Sequence, residues 1–217
     1  MSASTNFPDG IYGCPGNSIP PSPALKFAKG LPWFSGMGIP ETQHFLSVDA
    51  YLEGEEHSEI RHEYIGGQVY AMSGGSEAHN MICGNFYAAI RQHLRGGPCK
   101  VFMADMKLRL NIAEDDIFYY PDLLVTCDPS DNEKYFKTKP SVLVEVLSPS
   151  TERLDRREKF LSYIALPTLK EYVLIDQSKP AVTRFRPENG WKPEHLTTGD
   201  SLSLPSISFV ESLAGLS

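Results

Sequence analysis

Two rhythms of apolar residues run through this chain, and the points where one gives way to the other mark its elements. Residues 1 to 40 show neither; they are rich in Pro, Gly and Ser, and Pro20-Pro21-Ser22-Pro23 favours extended, solvated backbone. We read them as a flexible leader, with Phe27, Trp33 and Phe34 available for docking, ahead of one domain over 41–217. Ser47 then offers an N-cap for a short helix from Val48 to Glu55. Tyr64-Ile65 and Val69-Tyr70 flank Gly66-Gly67, the pattern of a hairpin whose turn needs positive φ. Ile82, Phe86, Ala89, Ile90 and Leu94 line one face of a helix from Glu77 to Leu94, which Gly96-Gly97-Pro98 ends.

Period two follows. Val101–Leu110, Phe118–Thr126 and Val142–Leu147 predict three strands, with Glu114-Asp115-Asp116 as the first turn. A helix from Arg153 to Ala165 and a strand from Glu171 to Ile175 come next. The tail, Val182 to Phe209, reads as a β-hairpin around Glu188-Asn189-Gly190 and an edge strand. Helix, three-strand meander, helix, strand is an α/β order of the mixed-sheet, α+β kind. The meander is antiparallel, and the strands joined across the second helix are parallel.

Two of these strands break their own pattern. Asp122 and Glu145 each place a carboxylate in an otherwise apolar run, which is costly unless a basic side chain or a cation compensates the charge. The loop between the two strands is centred between Glu133 and Lys134, and Asp122 and Glu145 are equidistant from that point. In an antiparallel pair they therefore face each other. The preceding turn, centred between Glu114 and Asp115, likewise sets Lys107 opposite Asp122. Without bulges, Lys107, Asp122 and Glu145 form one row across three strands, and Cβ separations of ~5 Å let both acids grip one divalent cation. The plainer reading is a structural salt-bridge ladder; the apolar surroundings of both acids favour the metal site.

Composition narrows the classes. Of 217 residues, 41% are hydrophobic, enough for a sizeable core, and the formal net charge of −7 supplies no overall basic field for nucleic acid. The four cysteines, Cys14, Cys83, Cys99 and Cys127, form no CxxC pair and support neither zinc nor a disulfide framework. No apolar run approaches the ~20 residues of a membrane span. The expectation is a protein of the reducing cytoplasm, not associated with membrane.

Around the acids, Lys159 sits one helical turn beyond Asp155 and can reach back over the end of the third strand; a simple pair with Glu152 or Asp155 is the plainer alternative. Glu63, polar in a strand-like segment, is either a third carboxylate for the cation or an exposed strand residue. His79 reads as a packing or surface histidine, and Ser148, Ser150 and Thr151 as turn residues. No Gly-x-Ser-x-Gly elbow, P-loop or dinucleotide fingerprint is present.

Arg61-His62-Glu63-Tyr64-Ile65-Gly66-Gly67, Ser76-Glu77-Ala78-His79, Tyr120-Pro121-Asp122, Val144-Glu145-Val146-Leu147-Ser148-Pro149-Ser150-Thr151 and Asp155 through Lys159 together resemble the Uma-two family. That family belongs to the PD-(D/E)XK nuclease superfamily, and the resemblance runs from about residue 44 to 212. It implies a restriction-endonuclease-like core that uses Mg2+, with Mn2+ as a substitute, to hydrolyse phosphodiester bonds of DNA. The Pro-Asp of the superfamily falls on Pro121-Asp122 and its second acid on Glu145. The lysine expected two residues later falls on Leu147, and the resemblance moves it to Lys159, with Lys107 a rival from the register argument. Asp122, Glu145 and the carbonyl of Val146, with Glu63, are the implied metal ligands. Nuclease folds of this kind often act as homodimers, although no stretch declares an interface. The competing class is a nuclease-fold protein without catalysis, acting as a nucleic-acid-binding or regulatory partner.

Overall fold

The computed structural model describes residues 45–148 and 155–216. Ser47 caps α1 (Val48–His57) by accepting from the Ala50 amide. β1 (His62–Ile65) and β2 (Gln68–Ala71) form the expected hairpin, and Gly66 and Gly67 take φ of 54° and 94° in its turn. Ser76 caps α2 (Glu77–His93).

The expected strand Val101–Leu110 is two strands, β3 (Lys100–Met103) and β4 (Lys107–Ile112). Phe118–Thr126 is likewise divided into β5 (Asp115–Tyr119) and β6 (Leu123–Thr126). Both segments leave one sheet and join another at the break. Ala104, at φ 55°, lies in the first bend, and Pro121, which has no N–H to give a ladder, lies in the second. β7 (Phe136–Lys137) and β8 (Val142–Leu147) follow. A π-helical turn, Asp155–Lys159, then runs into α3 (Phe160–Ile164). The start of the expected helix before Asp155, and Ser150 and Thr151, lie outside the described residues, as does the leader. β9 (Glu171–Asp176) comes next.

The tail differs from expectation. β10 (Ala181–Phe185) and β11 (Glu194–Thr197) are the hairpin, while the edge strand is a second hairpin, β12 (Ser201–Leu204) with β13 (Phe209–Ser212), followed by α4 (Leu213–Leu216).

One sheet has the order β2-β1-β5-β4-β7, a second β11-β10-β9-β8-β6-β3, and β12 and β13 form a third of two strands. β8 and β9 are parallel across α3 and β6 and β8 antiparallel, as the pattern required. Alternation along the strands separates three cores. Val142, Val144 and Val146 of β8 pack with Phe86 and Ile90 of α2. Leu143 and Leu147 face the other way, against Tyr163 of α3 and Leu108, Ile117 and Tyr119 of the five-stranded sheet. Phe118 turns to the outer face of that sheet, where it meets Tyr51 of α1. The layers are therefore α1, five-stranded sheet, six-stranded sheet, α2.

The two registers came out differently. Leu123 pairs with Val144 and Val125 with Val142, which sets Asp122 opposite Glu145. The β4–β5 turn, however, is centred between Ala113 and Glu114, since Ile112 pairs with Asp115. Both turn residues have positive φ, 52° and 73°, a conformation that neither residue type announces. The shift takes Lys107 off Asp122 and onto Tyr120, whose ring lies 5.5 Å from the ammonium. The row of three is therefore a row of two.

The cysteine expectation is also corrected. Lys100 pairs with Thr126, so Cys99 and Cys127 come next in the same register, with Cα atoms 4.0 Å apart, and form a disulfide. Reading residues 101–110 as one strand hid the β3–β6 pairing that brings them together.

Candidate active site

The break between β5 and β6 places Tyr120-Pro121-Asp122 where the two sheets meet, so acids from both sheets converge there. Asp122 and Glu145 are locked reciprocally. The Asp122 amide donates to Glu145 Oε2 at 3.3 Å, and the Val146 amide donates to Asp122 Oδ2 at 2.7 Å. Each strand's backbone thereby holds the other strand's carboxylate.

Glu145 is buried, and its Oε1 accepts from the Tyr163 hydroxyl at 2.8 Å and from Lys159 Nζ at 3.4 Å. Lys159 and Tyr163 are one turn apart and reach the same oxygen. The ammonium also lies 3.1 Å from Glu63 Oε1 and over the Tyr119 ring at 5.6 Å. That approach to Glu63 is an ion pair by distance but not by direction: buried Glu63 Oε1 accepts no hydrogen bond. Burial pushes the Tyr119 hydroxyl up to about 12. Burial, then the charge of Glu145, also raises Tyr163 well above the ordinary tyrosine range. Both phenols stay protonated donors.

On the α2 side, His79 Nε2 is 3.1 Å from Asp122 Oδ2, and Cys83 Sγ is 3.6 Å from His79 Nδ1. Burial, then the charges of Asp122 and Glu145, raises the Cys83 pKa. The thiol therefore keeps its proton and lies against Nδ1 of the ring whose Nε2 faces Asp122. The three donor atoms lie within 4.8 Å of one another. Cys83 and Asp122 nevertheless flank opposite nitrogens of the ring, so they orient the imidazole rather than surround one point.

Glu63, Asp122, Glu145 and Lys159 are thus brought together, while Lys107 is held over Tyr120 on the α1 side. Leu147, where the resemblance would place a lysine, is buried in the core with Tyr163 and Tyr172. Lys159, the last residue of the π-helical turn before α3, is the lysine that reaches Glu63 and Glu145. Sequence reasoning missed Tyr163 and Cys83; in each case the signal was spacing, one helical turn after Lys159 and one after His79.

Three carboxylates, Glu63, Asp122 and Glu145, meet the Lys159 ammonium among the described residues, with the His79 ring beside Asp122. Their donors are all oxygens, the set preferred by a hard divalent cation, and Glu63 Oε1 is a buried acceptor still without a donor. The residues fit such an ion.

The Uma2 family model, described as "Putative restriction endonuclease", matches residues 48–213. The chain belongs to the Uma2 family. The uncharacterized protein slr1290 of Synechocystis sp. is 38% identical over 165 residues, covering 75% of this chain and 86% of the relative. A second Synechocystis protein, sll1609, is 34% identical over 144 residues, covering 65% of this chain and 80% of the relative. The fold is similar to the crystal structure of a putative nuclease belonging to DUF820 from Anabaena variabilis. The TM-score is 0.63 at 17% identity, over 79% of this chain and 97% of that one. The Uma2 match spans every site residue described above, from Glu63 to Tyr163. Among the described residues no helix is long and apolar enough to cross a membrane.

Proposed function

We propose that this Uma2 protein is an endonuclease that hydrolyses phosphodiester bonds of DNA with Mg2+, for which Mn2+ can substitute. The observation that carries the reading is the meeting of three carboxylates, Glu63, Asp122 and Glu145, with Lys159 where two sheets meet, buried Glu63 Oε1 accepting no hydrogen bond. Membership of a family whose description reads "Putative restriction endonuclease" supports the same chemistry.

Asp122, Glu145, Glu63 and the carbonyl of Val146 would hold the ion. When bound, it would supply Lewis acidity, lowering the pKa of a water and offsetting charge on the phosphate. The chain's own groups do the rest. Tyr163 and the Asp122 amide fix the rotamer of Glu145, and the Val146 amide and His79 fix Asp122. Lys159 keeps its ammonium between two carboxylates, from which it can orient the attacking water or an oxygen of the phosphate.

A second reading, a nucleic-acid-binding partner without catalysis, is favoured by Leu147 at the usual lysine position and by the net charge of −7. A cleavage assay over single-stranded, duplex and branched DNA, with and without Mg2+, separates the two. Metal-dependent cleavage that EDTA stops supports the nuclease. Binding without cleavage at any metal concentration overturns it.

A further inference from the structure

Outside the site, a second buried charged cluster surrounds Glu55 of α1, whose side chain is 1% exposed. Its Oε1 lies 2.7 Å from His62 Nδ1, while its Oε2 accepts from the Tyr120 hydroxyl at 2.6 Å and from the His62 amide at 3.3 Å. The Tyr51 hydroxyl, one helical turn earlier, donates to the His62 carbonyl at 2.7 Å.

The location of these bonds matters more than their number. β1 and β5 pair through Ile65 with Ile117 and Tyr64 with Phe118, and their ladder stops there. One step further along the two strands come Glu63 and Tyr119, then His62 and Tyr120. At that step Glu55 takes the His62 amide and the Tyr120 hydroxyl, replacing the lost ladder with a carboxylate bridge. His62 directly precedes Glu63, and Tyr120 precedes Pro121-Asp122, where the proline ring fixes φ. The bridge therefore joins the two segments that deliver an acid from the five-stranded sheet and an acid from the six-stranded sheet.

We infer that Glu55 is a positioning residue for the cation site, setting the separation of Glu63 and Asp122 through His62 and Tyr120. The inference rests on the metal site proposed above. Glu55 touches neither the ion nor the substrate in this account; it acts through its two partners. Groups that orient metal ligands from outside typically change metal affinity by about 10–100-fold when removed.

The test is calorimetric titration of Mn2+ into the full chain, paired with its thermal unfolding midpoint, for wild type, Glu55→Gln and Tyr120→Phe. Tyr64→Phe serves as control, because it loses a hydrogen bond to the Leu46 carbonyl and nothing that leads to the site. The expected result is a Kd raised about 10–100-fold in Glu55→Gln and about tenfold in Tyr120→Phe, the double variant no weaker than Glu55→Gln. Tyr64→Phe lowers the unfolding midpoint and leaves the Kd at the wild-type value. If Glu55→Gln does not fold, Tyr120→Phe alone decides. Variants that lower only the unfolding midpoint, with wild-type Kd, overturn the positioning role and leave the metal site standing. A wild type that takes up no Mn2+ overturns both.

Discussion

Glu55 and Glu63 belong to neighbouring elements and are almost equally buried, at 4% and 7% exposed, yet they are held in opposite ways. Glu55 accepts from a backbone amide and a tyrosine, and pairs with a histidine. Glu63 meets one ammonium that is shared with Glu145, and one of its buried oxygens accepts nothing. A buried carboxylate with its donors in place is a structural tie, because its desolvation is offset by fixed hydrogen bonds. A buried carboxylate short of donors, beside two others, is held ready for a ligand. Burial of charge does not distinguish the two; the count of donors does.

The comparison breaks most readily at the acids themselves. Asp122→Ala or Glu145→Ala should reduce metal-dependent cleavage by about a thousandfold or more, since a bound metal contributes several kcal/mol to transition-state stabilisation. Single-turnover rates on the best DNA substrate measure this. A rate near wild type in either variant removes the site from the chemistry.

The lysines sharpen the contrast. Lys159→Met leaves Glu63 and Glu145 without their shared cation and should cost about 3–5 kcal/mol in metal-free urea unfolding. Added Mn2+ should restore part of that loss. Lys107 is buried with no close carboxylate partner among the described residues, and burial lowers its pKa. Lys107→Met should therefore cost much less and show no such rescue. Equal losses in the two would erase the distinction between the clusters.

A smaller effect is expected at Tyr163. Tyr163→Phe removes one donor to Glu145 and should cost about 1–2 kcal/mol, measured by chemical unfolding. The alkaline limb adds a test of the buried phenols. Tyr119 ionises at about 12 in the folded chain against 10.0 when exposed. The unfolded chain therefore loses its proton first, so the stability held below pH 10 declines as pH rises toward 12. The unfolding midpoint should fall across that window, and less steeply in Tyr119→Phe.

The legible parts of this molecule were those set by ladders without interruption. β6 and β8 are short apolar runs with no bulge between them, so the facing of Asp122 and Glu145 could be read by symmetry about their loop. The β4–β5 turn could not, because Ala113 and Glu114 adopt left-handed backbone that their side chains do not favour, and the acids beside them looked like the turn. Pro121 was the overlooked signal that one apolar run was two strands. With that break in hand, the pairing of Cys99 with Cys127 and the meeting of the sheets at Asp122 both follow. Glu55 gave no signal at all, being one acid among several on a short polar helix. Its role is set by residues far along the chain, chiefly Tyr120.

The central claim is that Glu63, Asp122 and Glu145, which converge where the two sheets meet, hold a divalent cation and that Glu55 does not. Diffraction from crystals soaked in Mn2+, collected for the anomalous signal of manganese, tests it most directly. The account predicts a peak in contact with carboxylate oxygens of Asp122 and Glu145. A peak on the His79–Cys83 side alone, or none at saturating Mn2+, would contradict it.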